Sequence, residues 1–203
     1  CFKLSGNQID VNVVIDPYDS SLGLKTPRLS ADVIVVTGDT PDRNSWQQVK
    51  SSDNTPFIVQ YPGEYEVKGV FAMAVTAKKK DASDTLLVSL GVDDVNIGHL
   101  GSIDRALTES ELDALGRIDV LLLPVGGAGT LDAETAIEVL KQIEPRIVVP
   151  MQYAIPGLNL DSQPLEKFLK EYGLKDVEKL DKLKVQKRDL PSEDTRVVVI
   201  NPS

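Results

Sequence analysis

ADVIVVTGDTPDRN, residues 31–44, is the stretch on which the fold turns. Its first six residues, Ala31–Val36, are nearly all apolar and mostly β-branched, with Asp32 the one polar interruption. That composition predicts a short strand buried on both faces. The run passes without a break into Thr37–Asn44, TGDTPDRN, which is almost pure turn chemistry. A buried strand emptying into a rigid polar loop is the anchor for the rest of the reading.

Upstream, Phe2–Leu4 and Ile9–Ile15 read as two strands around Ser5-Gly6-Asn7, a hairpin signal. Asp16-Pro17 ends the second strand, and Tyr18–Ser30 reads as a loop rich in Ser, Gly and Pro. Downstream, strands are expected at Pro56–Gln60, Val67–Thr76, Thr85–Leu90 and Val95–Ile97. Thr108–Glu111 (TESE) fits a capping box, with Leu112 and Leu115 on the helix face that follows and Gly116 as its C-cap. Val120–Leu123 is a second buried strand, closed by Pro124 and Gly126-Gly127. Thr130 is the expected cap of a helix to Ile143, with Asp132 and Glu134 complementing its positive end. Pro145 stops that helix before the strand Ile147–Val149. Pro164, Leu165, Phe168, Leu169 and Tyr172 describe an amphipathic helix ended by Gly173, and Arg196–Ile200 is a last strand.

The order is therefore β-rich first and alternating α and β later, which places helices on the outside of β-sheets. Residues 1–203 are read as a single domain, with room for a missing N-terminal strand ahead of Cys1. The segment from Lys175 to Arg188 mixes lysines with acids and reads as a solvated face.

The chain has 203 residues, 41% of them hydrophobic and 26% charged, with 22 Lys and Arg against 31 Asp and Glu, a formal charge of −9. This is ordinary globular composition. An acidic surface argues against nucleic acid, whose affinity for proteins comes largely from Lys and Arg displacing counterions. Cys1 is the only cysteine, so no disulfide forms within the chain. No apolar run reaches the roughly 18 residues that span a bilayer. The expected setting is cytoplasmic, with no membrane partner.

Several segments, in order and spacing, resemble the metallo-β-lactamase superfamily, and in particular its branch similar to ascorbate-6-phosphate lactonase. They are CFKLSG at 1–6, VVIDPYDSSLGLKTPRLSADVIVVT at 13–37, YPGEYE at 61–66, HLG at 99–101, PVGG at 124–127 and VPMQY at 149–153. The resemblance implies a four-layer αββα sandwich, two β-sheets face to face with helices outside. It also implies a metal-binding loop, Thr-His-x-His-x-Asp-His, after a buried strand. Here the matching stretch, 37–43, reads TGDTPDR. Gly38 and Thr40 stand at the first two histidine positions, Asp42 is kept, and Arg43 replaces the last histidine. Ser102 replaces the bridging aspartate of the family's His-Leu-Gly-Asp segment, and Gln152 replaces the histidine of its Pro-Met-His-Tyr segment. Residues 76–82, TAKKKDA, hold no histidine where another ligand is implied.

His99 is the chain's one histidine, whereas zinc chemistry on this fold needs several. A guanidinium about 4 Å from a divalent cation costs roughly 8 kcal/mol at an effective dielectric of 20. The expectation is therefore no metal, no cofactor and no catalytic residue. The former metal positions Gly38, Thr40, Asp42, Arg43, Ser102 and Gln152 would form a pocket, with Arg43 supplying fixed positive charge. Asp39 and Asp42 are read as turn caps rather than oxygen ligands, and His99 as structural. Gly126, Gly127, Gly129 and Thr130 are a candidate anion site before a helix N-terminus. The functional expectation is a pseudoenzyme with a degenerate metal site that binds a small anionic ligand or a protein partner, or assembles with itself. The alternative is a hydrolase of a small phosphorylated or lactone-like substrate with a rebuilt or non-zinc site.

Overall fold

The computed structural model describes residues 1–51 and 55–202. Two sheets enclose its principal core. In the smaller, β1 (Phe2–Ser5), β2 (Asn12–Ile15), β3 (Val33–Val35) and β4 (Phe57–Val59) lie side by side in chain order. β1 and β2 form the antiparallel hairpin, and β2, β3 and β4 run parallel. The larger sheet begins with an antiparallel meander of β5 (Gly63–Val67), β6 (Val70–Lys78), β7 (Asp84–Val92) and β8 (Val95–His99). It continues with parallel strands β9 (Val120–Pro124), β10 (Ile147–Met151), β12 (Arg196–Ile200) and β11 (Glu178–Leu180).

Parallel neighbours need crossovers, which α-helices supply for most of the larger sheet and loops with 3₁₀ turns for the smaller. α1 (Glu109–Leu115) joins β8 to β9, α2 (Ala133–Ile143) joins β9 to β10, and α3 (Leu165–Tyr172) lies between β10 and β11. Strand alternation sorts the side chains. Val13, Ile15, Val33, Val35 and Val59 point at the larger sheet and pack with Val88, Leu90, Leu122, Val149 and Val198. Their neighbours Val14 and Ile34 point the other way, under Val49 and Trp46. The outermost layer on that side is made of loops and the 3₁₀ turn Trp46–Gln48. On the far face of the larger sheet, Leu87, Leu121, Leu123, Val148 and Val197 are covered by Leu115, Ala136, Val139, Leu165 and Phe168 of the helices. This is the mixed two-sheet architecture that the resemblance implies, with the layer outside the smaller sheet built, among the described residues, from loops and a 3₁₀ turn in place of an α-helix.

Two local expectations are corrected. The strand expected at Val67–Thr76 is two strands, because Lys68 and Gly69 turn the chain at positive φ (50° and 81°) between β5 and β6. Thr130 does not cap α2. Its hydroxyl donates to the Gly127 carbonyl (2.8 Å) and closes a turn, while the Asp132 carboxylate accepts from Thr135 N–H (2.9 Å) and is the true N-cap. The Lys-rich segment is mostly exposed, as a solvated face requires, although Glu178–Leu180 forms β11 and Lys187 donates to the fully buried Asp119 carboxylate (2.6 Å). Among the described residues, no helix is long and apolar enough to cross a membrane.

Candidate functional site

Parallel strands that end at one level leave their following loops facing each other, and ligands of α/β sheets bind there. Asp16 follows β2, the 37–43 loop follows β3, and His99–Ser102 ends and follows β8. Gly126–Thr130 follows β9, and Gln152 follows β10. These loops border a cleft of about 1190 Å³ whose wall includes Asp16, Arg43, His99, Ser102, Gln152 and Lys79. Gly38, Thr40 and Asp42 line it too, so the structure brings together all six positions singled out at the former metal loop.

The floor of the cleft is a chain of buried polar groups. Asp16, only 3% exposed, accepts from both the backbone N–H and the hydroxyl of Thr37 (2.8 and 2.6 Å). Its Oδ2 also lies 3.6 Å from His99 Nε2. His99 Nδ1 accepts from Gly101 N–H (3.1 Å), which leaves the ring proton on Nε2, facing Asp16. Burial drives the imidazole's pKa down to about 4. Asp16 opposes that shift and the positive charge of Arg43 adds to it. The ring is neutral at pH 7, with its acceptor Nδ1 taken by Gly101 and its Nε2 proton turned toward Asp16, so His99 is part of the buried floor and not a general base. Thr85 Oγ1 donates to the Thr37 carbonyl (3.2 Å) and accepts from Ser102 N–H (3.0 Å). The Ser102 hydroxyl faces Thr85 at 3.5 Å and has no base, so it is no nucleophile.

The 37–43 loop is organised around Arg43. Its Nε and Nη2 both donate to Asp42 Oδ2, the former at 2.9 Å, and Thr40 Oγ1 donates to Asp42 Oδ1. Burial pushes the Asp42 carboxyl up, but Arg43 and Thr40 outweigh it and hold the group below the usual carboxylate range. Asp39 accepts from the Asn44 side chain. Gly38 has a specific role: a Cβ there would sit 2.7 Å from Arg43 Cδ, so the arginine stem lies where any side chain would go. The glycine and the arginine are one substitution in physical terms.

On the far wall, Gln152 adopts φ +60°, a left-handed conformation uncommon outside glycine. Its Nε2 donates to the Gly101 carbonyl (3.2 Å), and its Oε1 is buried with no hydrogen-bond partner among the described residues. Gly126 sits directly beneath, where a Cβ would fall 1.9 Å from the Gln152 carbonyl oxygen. Gly127, Gly129 and Thr130 line the cleft, whereas Gly126 supports Gln152 from behind. The helix-terminus anion site expected at these four residues is corrected. α2 starts three residues later and its positive end already holds the Asp132 carboxylate, which repels a second anion. Lys79 instead brings charge to this wall, its Nζ 3.8 Å from where a Gly129 Cβ would stand.

The residues present do not fit a dinuclear metal centre. Both Asp42 oxygens are engaged, one by Thr40 and the other by Arg43. The other inherited positions carry glycine, threonine, serine and an amide. Among the described residues, no three His, Cys, Asp or Glu side chains gather as a metal would require. Sequence reasoning missed Asp16, Thr37 and Thr85. The one signal for Asp16 was the Asp-Pro pair closing β2, which reads as a strand stop and nothing more.

The fold and this loop-end cleft define a class. The family model described as Beta-lactamase superfamily domain matches residues 1–152, and the chain belongs to that superfamily. A UPF0173 metal-dependent hydrolase of Archaeoglobus fulgidus is 26% identical over 87% of this chain and 90% of the relative. A second of that description, from Thermoplasma acidophilum, is 24% identical over 75% and 79%. Among solved structures, a Thermotoga maritima protein described provisionally as a Zn-dependent hydrolase of the metallo-β-lactamase superfamily superimposes with a TM-score of 0.81. That protein is 27% identical, over 98% of this chain and 93% of that one.

These relatives overturn the expectation of a non-catalytic pseudoenzyme: over most of their length the chain's similarity is to hydrolases. The description of the site as degenerate falls with it. The positions are not eroded, because Gly38, Thr40, Asp42 and Arg43 form one interlocked unit over a hydrogen-bonded floor.

Proposed function

We propose that this protein is a hydrolase of a small phosphorylated or lactone-like ester, acting in the loop-end cleft with a site built from its own side chains. The observation that carries the reading is Arg43, a guanidinium fixed by Asp42 and seated on Gly38 where relatives named metal-dependent hydrolases would need a cation. Ester hydrolysis develops negative charge on an oxygen, and a preorganised cation in a water-poor cleft stabilises that charge. Arg43 suits the task because Asp42 takes only Nε and one Nη2 hydrogen, leaving the Nη1 edge for a ligand. Lys79, which lines the same cleft beside Gly129, adds a second positive charge.

The test is turnover by chelator-dialysed protein of p-nitrophenyl phosphate, bis-p-nitrophenyl phosphate and a set of γ-lactones. Hydrolysis of at least one class is expected, falling by about 10²-fold or more in Arg43→Gln, the scale of losing one oxyanion donor. Absence of turnover with every class, or turnover unchanged in Arg43→Gln, refutes it.

A further inference from the structure

We infer that Gln152 Oε1 is the acceptor for a hydroxyl group of the substrate, which narrows the substrate class to hydroxyl-bearing anionic esters. The inference rests on reading the cleft as the substrate site.

Three features of the residue point this way. First, its amide oxygen is buried without a donor, although buried acceptors are nearly always satisfied. Rotating the amide does not cure this. Oε1 would then face the Gly101 carbonyl, oxygen against oxygen, and Nε2 would take the unpartnered place. The Gly101 carbonyl therefore fixes which atom is left open. Second, the backbone at Gln152 is held at positive φ, a conformation that costs free energy and persists only where the surroundings enforce it. Third, Gly126 permits that conformation by having no side chain to strike the Gln152 carbonyl. The chain thus spends a strained residue and an obligatory glycine on holding one unpartnered acceptor in a residue that lines the cleft at the end of β10.

What satisfies an unpartnered amide oxygen is an O–H or N–H donor. The Arg43 Nη1 edge and Lys79 offer only donors and take the anionic end of a ligand, so the cleft as a whole recognises an anion that also carries a hydroxyl. A site built to bond a hydroxyl discriminates strongly against the analogue that lacks it, because its own polar atom is then left unpaired.

Glycerol 3-phosphate and n-propyl phosphate have the same charge and nearly the same size and differ in the hydroxyls, so they make a matched pair of probes. Isothermal titration of the full chain should show glycerol 3-phosphate binding about tenfold more tightly, the weight of one satisfied buried acceptor. In Gln152→Met the preference should vanish, the two probes then binding with equal affinity. Gln152→Asn, which keeps the amide and withdraws the oxygen, should lose the preference equally. Equal affinities in the wild type mean that the oxygen serves a fixed water only, and they overturn the inference. So does failure to bind either probe, or a preference that survives both substitutions. Turnover plays no part in this experiment. A protein that binds selectively and hydrolyses nothing contradicts the hydrolase reading alone.

Discussion

Acidification from pH 7 to pH 4 should weaken this fold through His99, and the size of the loss follows from the ring's surroundings. His99 is 1% exposed, accepts from Gly101 through Nδ1, and has a pKa of about 4 against 6.5 for the free side chain. Between those values the unfolded chain binds a proton that the native state refuses, so stability falls as pH falls. The contribution is complete above pH 6.5 and is lost on descending toward pH 4. At 1.36 kcal/mol for each pH interval between the two pKa values, the loss is about 3 kcal/mol. That is a large share of the roughly 5–15 kcal/mol typical of a domain. Urea denaturation of the wild type and of His99→Asn, which keeps an acceptor near Nδ1, isolates the effect. Carboxylates such as Asp42 also lose stability on acidification, but they do so in both proteins. The wild-type advantage over His99→Asn should shrink by about 3 kcal/mol between pH 7 and pH 4. An advantage that stays constant would refute the buried neutral imidazole.

Further substitutions probe the loops that carry the site. Gly38→Ala puts a methyl group where Arg43 Cδ lies, so it should cost about 1–3 kcal/mol in urea denaturation and lower turnover as Arg43→Gln does. Full turnover in Gly38→Ala would separate the glycine from the arginine. Gly126→Ala meets backbone rather than a movable side chain. A loss of about 3 kcal/mol is expected, and a neutral result in thermal denaturation would remove the glycine's role under Gln152. Thr108→Ala breaks the capping box of α1 and should cost about 1 kcal/mol with turnover untouched, because α1 packs on the face of the large sheet away from the cleft.

The sequence was most legible where burial alone decides the outcome. The β-branched run at 33–35 and the aliphatic run at 120–123 could be nothing but central strands, and TESE carries its own cap chemistry. Legibility failed where two local solutions compete. Thr130 and Asp132 both suit an N-cap, and the choice falls to Asp132 because Thr130 is drawn into the turn back to Gly127. β5 was missed because GEYEV is half polar and gains its place only from pairing with β6. At the site, it was the family resemblance, and not spacing or composition, that singled out the positions after β3, β8 and β10, and they line one cleft in the structure. How the side chains there interlock was not legible, since Thr85 and Ser102, or Gly38 and Arg43, meet only once the chain is folded. The inference from missing histidines to missing activity went too far: losing one cation says nothing against building another.

The most direct test of the account is hydrolysis by protein from which metals have been removed, with metal content measured on the same sample. Turnover that persists below one-tenth of an equivalent of bound transition metal per chain and collapses in Arg43→Gln is the predicted result, that threshold being roughly the level at which metal could not sustain the bulk of the sites. Activity that appears only on adding zinc or manganese, in step with metal bound beside Asp42, would contradict it.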